Sequence, residues 1–239
     1  MTNCRIYINP VCVIHINKLI FMKTAILYFV TALLFLGCAN GQNKADNNDF
    51  ATLPKPAANE AVATFGGGCF WSMQEAMSEL KGVNKVISGY AGGKTKNPTY
   101  QDVSSRTTNH AEVTQIYYDP EKISYATLAE AFLFAHDPTT LNRQGPDVGT
   151  DYRSIAFYRN DAEKNTLINV IKKVNESKHY NNPVVTQVVP FSAFYPAENY
   201  HQGYYRTNSD NPYISSVSEP KVMKFRKAMK AELKPEFQK

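Results

Sequence analysis

A single tryptophan and a cysteine with no later partner stand side by side in Gly66-Gly67-Gly68-Cys69-Phe70-Trp71. The apolar run Ala61–Phe65 leads in and reads as a strand. Phe70–Leu80 follows and reads as a helix, with Met73, Met77 and Leu80 at helical spacing. Three glycines between them give a turn that other groups can approach closely. Cys69 is therefore expected at a helix N-terminus, where unpaired N–H groups and the helix dipole favour a thiolate. The chemistry of such a group is nucleophilic or redox. The plainer alternative is a buried thiol closing a glycine turn.

A thiol that works near neutral pH needs a partner to activate it or to handle a leaving atom. The candidates are His110, His136, His179 and His201, with the acids Glu112, Asp137, Asp147, Asp151 and Glu198. Glu112 lies in an alternating run, His110–Tyr118, in phase with Ile116. On that face its carboxyl enters apolar surroundings, where its pKa rises and it can act as an acid; otherwise it is an exposed strand glutamate. Tyr100 and Tyr152 fall in two long irregular segments, 91–109 and 136–152, and could donate phenolic hydrogen bonds or simply cover loops. The histidines read as structural residues. The absence of a CxxC pair argues against a structural zinc site, so no metal is expected.

The elements that position these groups alternate. Strands are predicted over 83–90, 110–118, 153–159 and 184–189, and helices from Ser124 to Ala135, over 161–177 capped by Asn160, and over 220–233. Residues 191–205 are dense in aromatics. The pattern predicts an α/β or α+β domain, a mixed sheet with helices against it and a βαβ unit around Cys69.

The domain fills only part of the 239 residues. Met22-Lys23, the uncharged run Ala25–Leu36 and the small residues after it resemble a secretory signal, too short to span a bilayer. Leu36-Gly37-Cys38 resembles a bacterial lipoprotein processing site, although Phe35 is atypical there. The expected division is an N-terminal extension and signal over 1–37, a flexible tether over 38–59 and one folded domain over 60–239. That implies an exported protein, periplasmic or anchored by lipid at Cys38. Three of the 26 basic residues precede Cys38, leaving 23 against 21 acidic ones, too even a balance for a nucleic-acid footprint. Cys4, Cys12 and Cys38 lie in or before the signal, so Cys69 is an unpaired thiol.

Seven strings, in order, carry a resemblance: GGGCFW, GYAGG (89–93), NPTY (97–100), HAEV (110–113), HDP (136–138), RQGPDVGTDYRS (143–154) and FYPAENYHQ (194–202). Together they resemble the peptide methionine sulfoxide reductase A family over about 140 residues, Phe65 to Gly203. The resemblance implies a two-layer sandwich around a split βαβ, ferredoxin-like core. It implies that Cys69 attacks sulfoxide sulfur, that Phe70 and Trp71 wall the S-methyl group, and that Glu112 protonates the departing oxygen. Tyr100 and Tyr152 would hydrogen-bond that oxygen, and Asp147 would order the site through water. The substrate would be the S epimer of methionine sulfoxide, free or in proteins, with no bound cofactor. The protein would act as a monomer in repair of oxidised proteins. Attack leaves a sulfenic acid that thiol must reduce. The chain departs from many relatives in having no cysteine after Cys69, and in carrying Ser72 and Gln74. An external thiol, such as thioredoxin, glutaredoxin or a small thiol, would then act directly on Cys69. Two rivals are an amidase or thiol peroxidase pairing Cys69 with His110 or His201, and a lipid-anchored module that binds oxidised proteins without turnover.

Overall fold

The computed structural model describes residues 49–238. The signal segment, Cys38 and the first part of the tether lie outside the described residues.

A six-stranded mixed sheet is the frame. Its strands are β1 (Ala61–Gly66), β2 (Val83–Ala91), β3 (Ala111–Tyr118), β6 (Ile155–Tyr158), β7 (Gln187–Pro190) and β8 (Phe194–Pro196), in the order β7-β6-β1-β3-β2-β8. β4 (Arg143–Gln144) and β5 (Asp147–Val148) form a separate two-residue hairpin. The helices are α1 (Phe70–Ser78), α2 (Tyr100–Ser104), α3 (Tyr125–Phe134), α4 (Asp161–Glu176), α5 (Tyr204–Thr207) and α6 (Glu219–Ala228).

β1 and β2 each pair antiparallel to β3, which lies between them, so β1-α1-β2 is a split βαβ unit. β3-α3-β6 is a second, split by β1. The central order β6-β1-β3-β2 is the ferredoxin-like arrangement implied by the resemblance. Only β6 and β7 pair in parallel.

All eight β3 residues are buried, because both faces of the sheet are covered. On one face Phe65, Val86 and Ile116 pack with Met73 and Met77 of α1, Leu128 and Phe132 of α3, Leu167 of α4 and Phe225 of α6. On the other, Val113, Tyr117, Ile155 and Phe157 pack with Phe194 and Ala51. Glu112, in phase with Ile116, sits on the helix-covered face.

Several boundaries differ from expectation. The first helix ends at Ser78, and Leu80 instead makes a β-bridge with Leu233. The strand predicted over 184–189 is displaced to Gln187–Pro190. The C-terminal helix is shorter than predicted, with a π-type turn, Ile214–Ser218, ahead of it. Segment 91–109 is not all loop: Thr99 accepts from the Asp102 amide while Asp102 accepts from the Thr99 amide, a reciprocal cap that starts α2. The far end of the expected tether touches the domain. Phe50 bridges Glu198, and the Ala51 amide donates to the Ala197 carbonyl at 3.0 Å, so the chain is already joined to the domain ten residues before Glu60.

Candidate active site

The strand-to-helix turn after β1 brings the thiol and the carboxyl together. β1 and β3 approach so closely that a Cβ on Gly66 would lie 2.6 Å from the Glu112 carbonyl. Gly68 takes φ +83°, a conformation that costs a side-chain-bearing residue energy, and reverses the chain into α1. Cys69 is the N-cap of α1, as predicted. The first amide of that helix, Phe70 N–H, donates to Glu112 Oε2 at 3.0 Å. Thiol and carboxyl therefore share one helix terminus and line one cleft of about 290 Å³.

The cleft collects the seven residues to which the resemblance assigns roles: Cys69, Phe70, Trp71, Tyr100, Glu112, Asp147 and Tyr152. Asn211 and Tyr213 complete it. α2 delivers Tyr100. The β4–β5 hairpin delivers Asp147, and a 3-10 turn, Thr150–Tyr152, delivers Tyr152. Phe70 and Trp71 are tilted 40° to one another at 6.5 Å, and form an aromatic side to the cleft.

Burial decides the protonation states. Glu112 is 3 % exposed. Desolvation pushes its carboxyl up to about 8, beyond what the Phe70 amide's hydrogen bond recovers, and Asp151 and Asp147 raise it further. Desolvation also holds Tyr100 at about 12 and Tyr152 higher still. At neutral pH the cleft thus presents a carboxylic acid and two phenols, all able to donate. The same burial corrects the expectation of a resting thiolate. Cys69 is 6 % exposed, and desolvation with Glu112 nearby outweighs the help of the Trp71 amide and Tyr213. Its thiol is raised far above the ordinary range, so the resting nucleophile is protonated.

The histidines do not join the nucleophile. His110 accepts from the Gly93 amide and contacts the Thr95 carbonyl; His136 bridges the Phe132 carbonyl and Ser154. His201 has a positioning role that the sequence reading missed. Its Nδ1 accepts the Trp71 indole N–H at 3.1 Å, while Tyr204 stacks on that indole at 3.9 Å and 14°. Glu198, another candidate acid, is structural: it accepts from the Tyr90 hydroxyl and from the Tyr100 amide at 2.8 Å. Gln74 ties α1 to the Val86 carbonyl and the Gly203 amide.

Asn211 and Tyr213 are the cleft residues the sequence reading passed over, and Tyr213 is the one that reaches Asp147. Its hydroxyl donates to Asp147 Oδ2 at 2.6 Å, so Asp147 is engaged directly by a side chain. A signal was present: Asn97-Pro98 precedes Tyr100 by one residue, and Asn211-Pro212 immediately precedes Tyr213. Both turns present a tyrosine to the cleft, the second fixed by the Tyr213 amide donating to Asn211 Oδ1.

A buried thiol beside a protonated carboxyl, two phenols and an aromatic wall is a cleft suited to cysteine-based redox chemistry. The sequence profile of the family described as peptide methionine sulfoxide reductase matches residues 61–233. Peptide methionine sulfoxide reductase MsrA of Haloquadratum walsbyi is 50 % identical over 172 residues, spanning 72 % of this chain and 98 % of that protein. The MsrA of Leptospira borgpetersenii is 49 % identical, spanning 69 % and 93 %. Among solved structures, reduced Mxr1 from Saccharomyces cerevisiae superimposes with TM-score 0.61 at 33 % identity, covering 67 % of this chain and 92 % of that one. Methionine sulfoxide reductase A of Corynebacterium diphtheriae gives 0.58 at 26 % identity, covering 69 % and 90 %. The chain belongs to the peptide methionine sulfoxide reductase family.

Proposed function

We infer that this protein is a thiol-dependent oxidoreductase that reduces the S epimer of methionine sulfoxide, free or in proteins, to methionine. The observation that carries the reading is the convergence of Cys69, the buried acid Glu112 and the Phe70–Trp71 wall on one cleft. A sulfoxide oxygen is a poor leaving group until protonated, so the reaction needs an acid more than a base. Glu112, pushed up to about 8, supplies one at neutral pH. Cys69 Sγ attacks the substrate sulfur, and Glu112 gives its proton to the oxygen, which Tyr100 and Tyr152 hold by hydrogen bonds. The sulfur–oxygen bond of the substrate breaks and the oxygen passes to Cys69. The substrate sulfur gains two electrons, Cys69 loses two, and the products are the thioether and a sulfenic acid.

Residues 70–239 hold no second cysteine, so an external thiol meets the sulfenic acid directly. It forms a disulfide with Cys69 and releases water. A second thiol then regenerates Cys69. Thioredoxin, glutaredoxin and small thiols all fit that chemistry.

Chirality at sulfur is read by separate pockets, aromatic for the methyl group and hydroxylic for the oxygen. Turnover of S-methionine sulfoxide with none of the R epimer is expected; equal turnover of both overturns this assignment. The segment 22–38 supports export with a lipid at Cys38, with the catalytic domain acting as a monomer on its tether. In the producing cell the chain should partition into detergent and Cys38→Ser should not; partitioning unaffected by that change contradicts the anchor.

A further inference from the structure

Thr150 and Tyr152 belong to one 3-10 turn, yet they line different cavities. Tyr152 faces the catalytic cleft, whereas Thr150 lines a second cavity of about 440 Å³. The apolar wall of that cavity is Ile155, Phe157 and Val189, on the sheet face away from α1. Its polar wall includes Asn142, Gln187 and Ser192, whose side chains make no hydrogen bond to any described residue. Arg153 lines it as well and is only 6 % exposed. Nη1 of Arg153 donates to the Thr150 carbonyl at 2.7 Å, and Nη2 to the Asn109 carbonyl at 3.1 Å. A guanidinium has five N–H donors, so three are left without a partner among the described residues. Asp151 is paired with Arg106 at 3.2 Å, and among the described residues no carboxylate lines the cavity or pairs with Arg153. Burial pushes Arg153 below the ordinary arginine range and Asp151 opposes this only in part, yet an arginine keeps its charge at any working pH. A buried charge with no paired anion is costly, and two carbonyls alone could be served by a neutral donor. Gly92, at φ +83°, leaves the space beside the guanidinium open: a Cβ there would stand 3.0 Å from Nη2 and 3.2 Å from Phe157 Cζ.

We propose that this cavity is a binding site for a carboxylate carried on a short apolar chain, with Arg153 as its anchor. The planar guanidinium matches the two oxygens of a carboxylate. The unpartnered groups of Asn142, Gln187 and Ser192 supply further donors, and Ile155, Phe157 and Val189 cover the chain. A mostly apolar cavity of this size with a few polar groups is the usual form of a small-ligand site. A dianion such as phosphate fits less well, because one guanidinium against an apolar wall leaves its second charge uncompensated. The carboxylate comes from a free acid or from an acidic side chain of another protein; the recognition chemistry is the same. The site goes beyond the sulfoxide reading and does not depend on it, since the two cavities share no lining residue.

The test is calorimetric titration of the full chain with 4-methylpentanoate, with 4-methylpentanamide as the uncharged counterpart. One acid should bind per chain with a Kd on the order of 1 mM, and the amide at least about tenfold more weakly. Trp71 emission, which reports the catalytic cleft, should not move as the acid binds. Arg153→Gln should weaken binding at least about tenfold. Gln187→Glu is a second variant that leaves the buried arginine and its carbonyl contacts in place. It sets a carboxylate in the wall to compete for the guanidinium, and should weaken binding by a similar factor. Should Arg153→Gln fail to fold, as circular dichroism would show, Gln187→Glu decides. The capped tripeptide N-acetyl-Ala-Glu-Ala-amide separates the sources: binding as tight as that of the free acid supports an acidic side chain, and binding of the free acid alone supports a small molecule. Four results overturn the site: no saturable binding of acid or tripeptide, equal binding of acid and amide, a Trp71 response that tracks the acid, or undiminished binding in either folded variant.

Discussion

The two sides of the cleft are made differently. Cys69, Phe70, Trp71 and Glu112 come from the split βαβ unit and its central strand, and the Phe70 N–H donates directly to the Glu112 carboxyl. Tyr100, Asp147, Tyr152 and Tyr213 come from a short helix, a two-residue hairpin, a 3-10 turn and an Asx turn. The first side is fixed mainly by the core, with Trp71 also held by His201, and the second by hydrogen bonds: Glu198 with Tyr100, Arg106 with Asp151 beside Tyr152, and Tyr213 with Asp147. On the proposed mechanism, sheet and helix carry the groups that exchange bonds, where a small misplacement is costly. On the same mechanism the loops carry groups that stabilise charge by hydrogen bonding.

That contrast predicts a gradient of effects. The largest on the core side, beyond loss of the thiol itself, belongs to Glu112→Gln, which should slow sulfenic acid formation about 100- to 1,000-fold at neutral pH. Stopped-flow single turnovers measure it. An unchanged rate would contradict the acid role. The wild-type rate should fall above about pH 8 as the required acid form is lost, and the variant should not show that fall.

The same carboxyl makes a stability prediction. Its folded pKa lies above the unfolded value of 4.5, so between about 4.5 and 8 the unfolded chain has released a proton that the native state retains. Native stability therefore declines as pH rises through that window, by an amount on the order of 5 kcal/mol at most. Denaturation of Glu112→Gln should show that decline removed. An identical pH dependence in variant and wild type would mean the carboxyl titrates normally.

On the loop side, Tyr100→Phe and Tyr152→Phe should each slow the chemical step about tenfold, and the double variant about 100-fold, because each removes one donor to the same oxygen. A double variant no slower than either single one would show that only one phenol reaches the oxygen. Smallest is Thr99→Ala, at the exposed cap of α2. It should cost about 1 kcal/mol of stability and lower turnover only a few-fold, since Glu198 still holds the Tyr100 amide. A loss as deep as that of Tyr100→Phe would show that the cap, not Glu198, positions the phenol.

The same division explains what the sequence made legible. The strand, glycine turn and helix around Cys69 could be read from periodicity; the Glu112–Ile116 alternation left open whether the carboxyl was buried or exposed, and the covering helices decide for burial. The roles of Tyr100, Tyr152 and Asp147 came from the family resemblance, because loop residues meet only through tertiary contacts that no local period encodes. Tyr213 escaped both: it follows the last matching string, and its partner Asp147 is 66 positions away. The ionisation of Cys69 was misjudged because the helix N-terminus is visible in sequence, whereas the desolvation that outweighs it is a property of the finished core. The α2 cap was available in Thr99–Asp102 and lay hidden in a stretch that composition marked as loop.

The most direct measurement is one turnover of S-methionine sulfoxide with every thiol reductant omitted, followed by a sulfenic-acid trapping reagent and peptide mapping. The expected result is one methionine per chain, with the trapped adduct on Cys69 and none in Cys69→Ser. Methionine formed without modification of Cys69, or an adduct mapped to Cys4, Cys12 or Cys38 instead, would contradict the account.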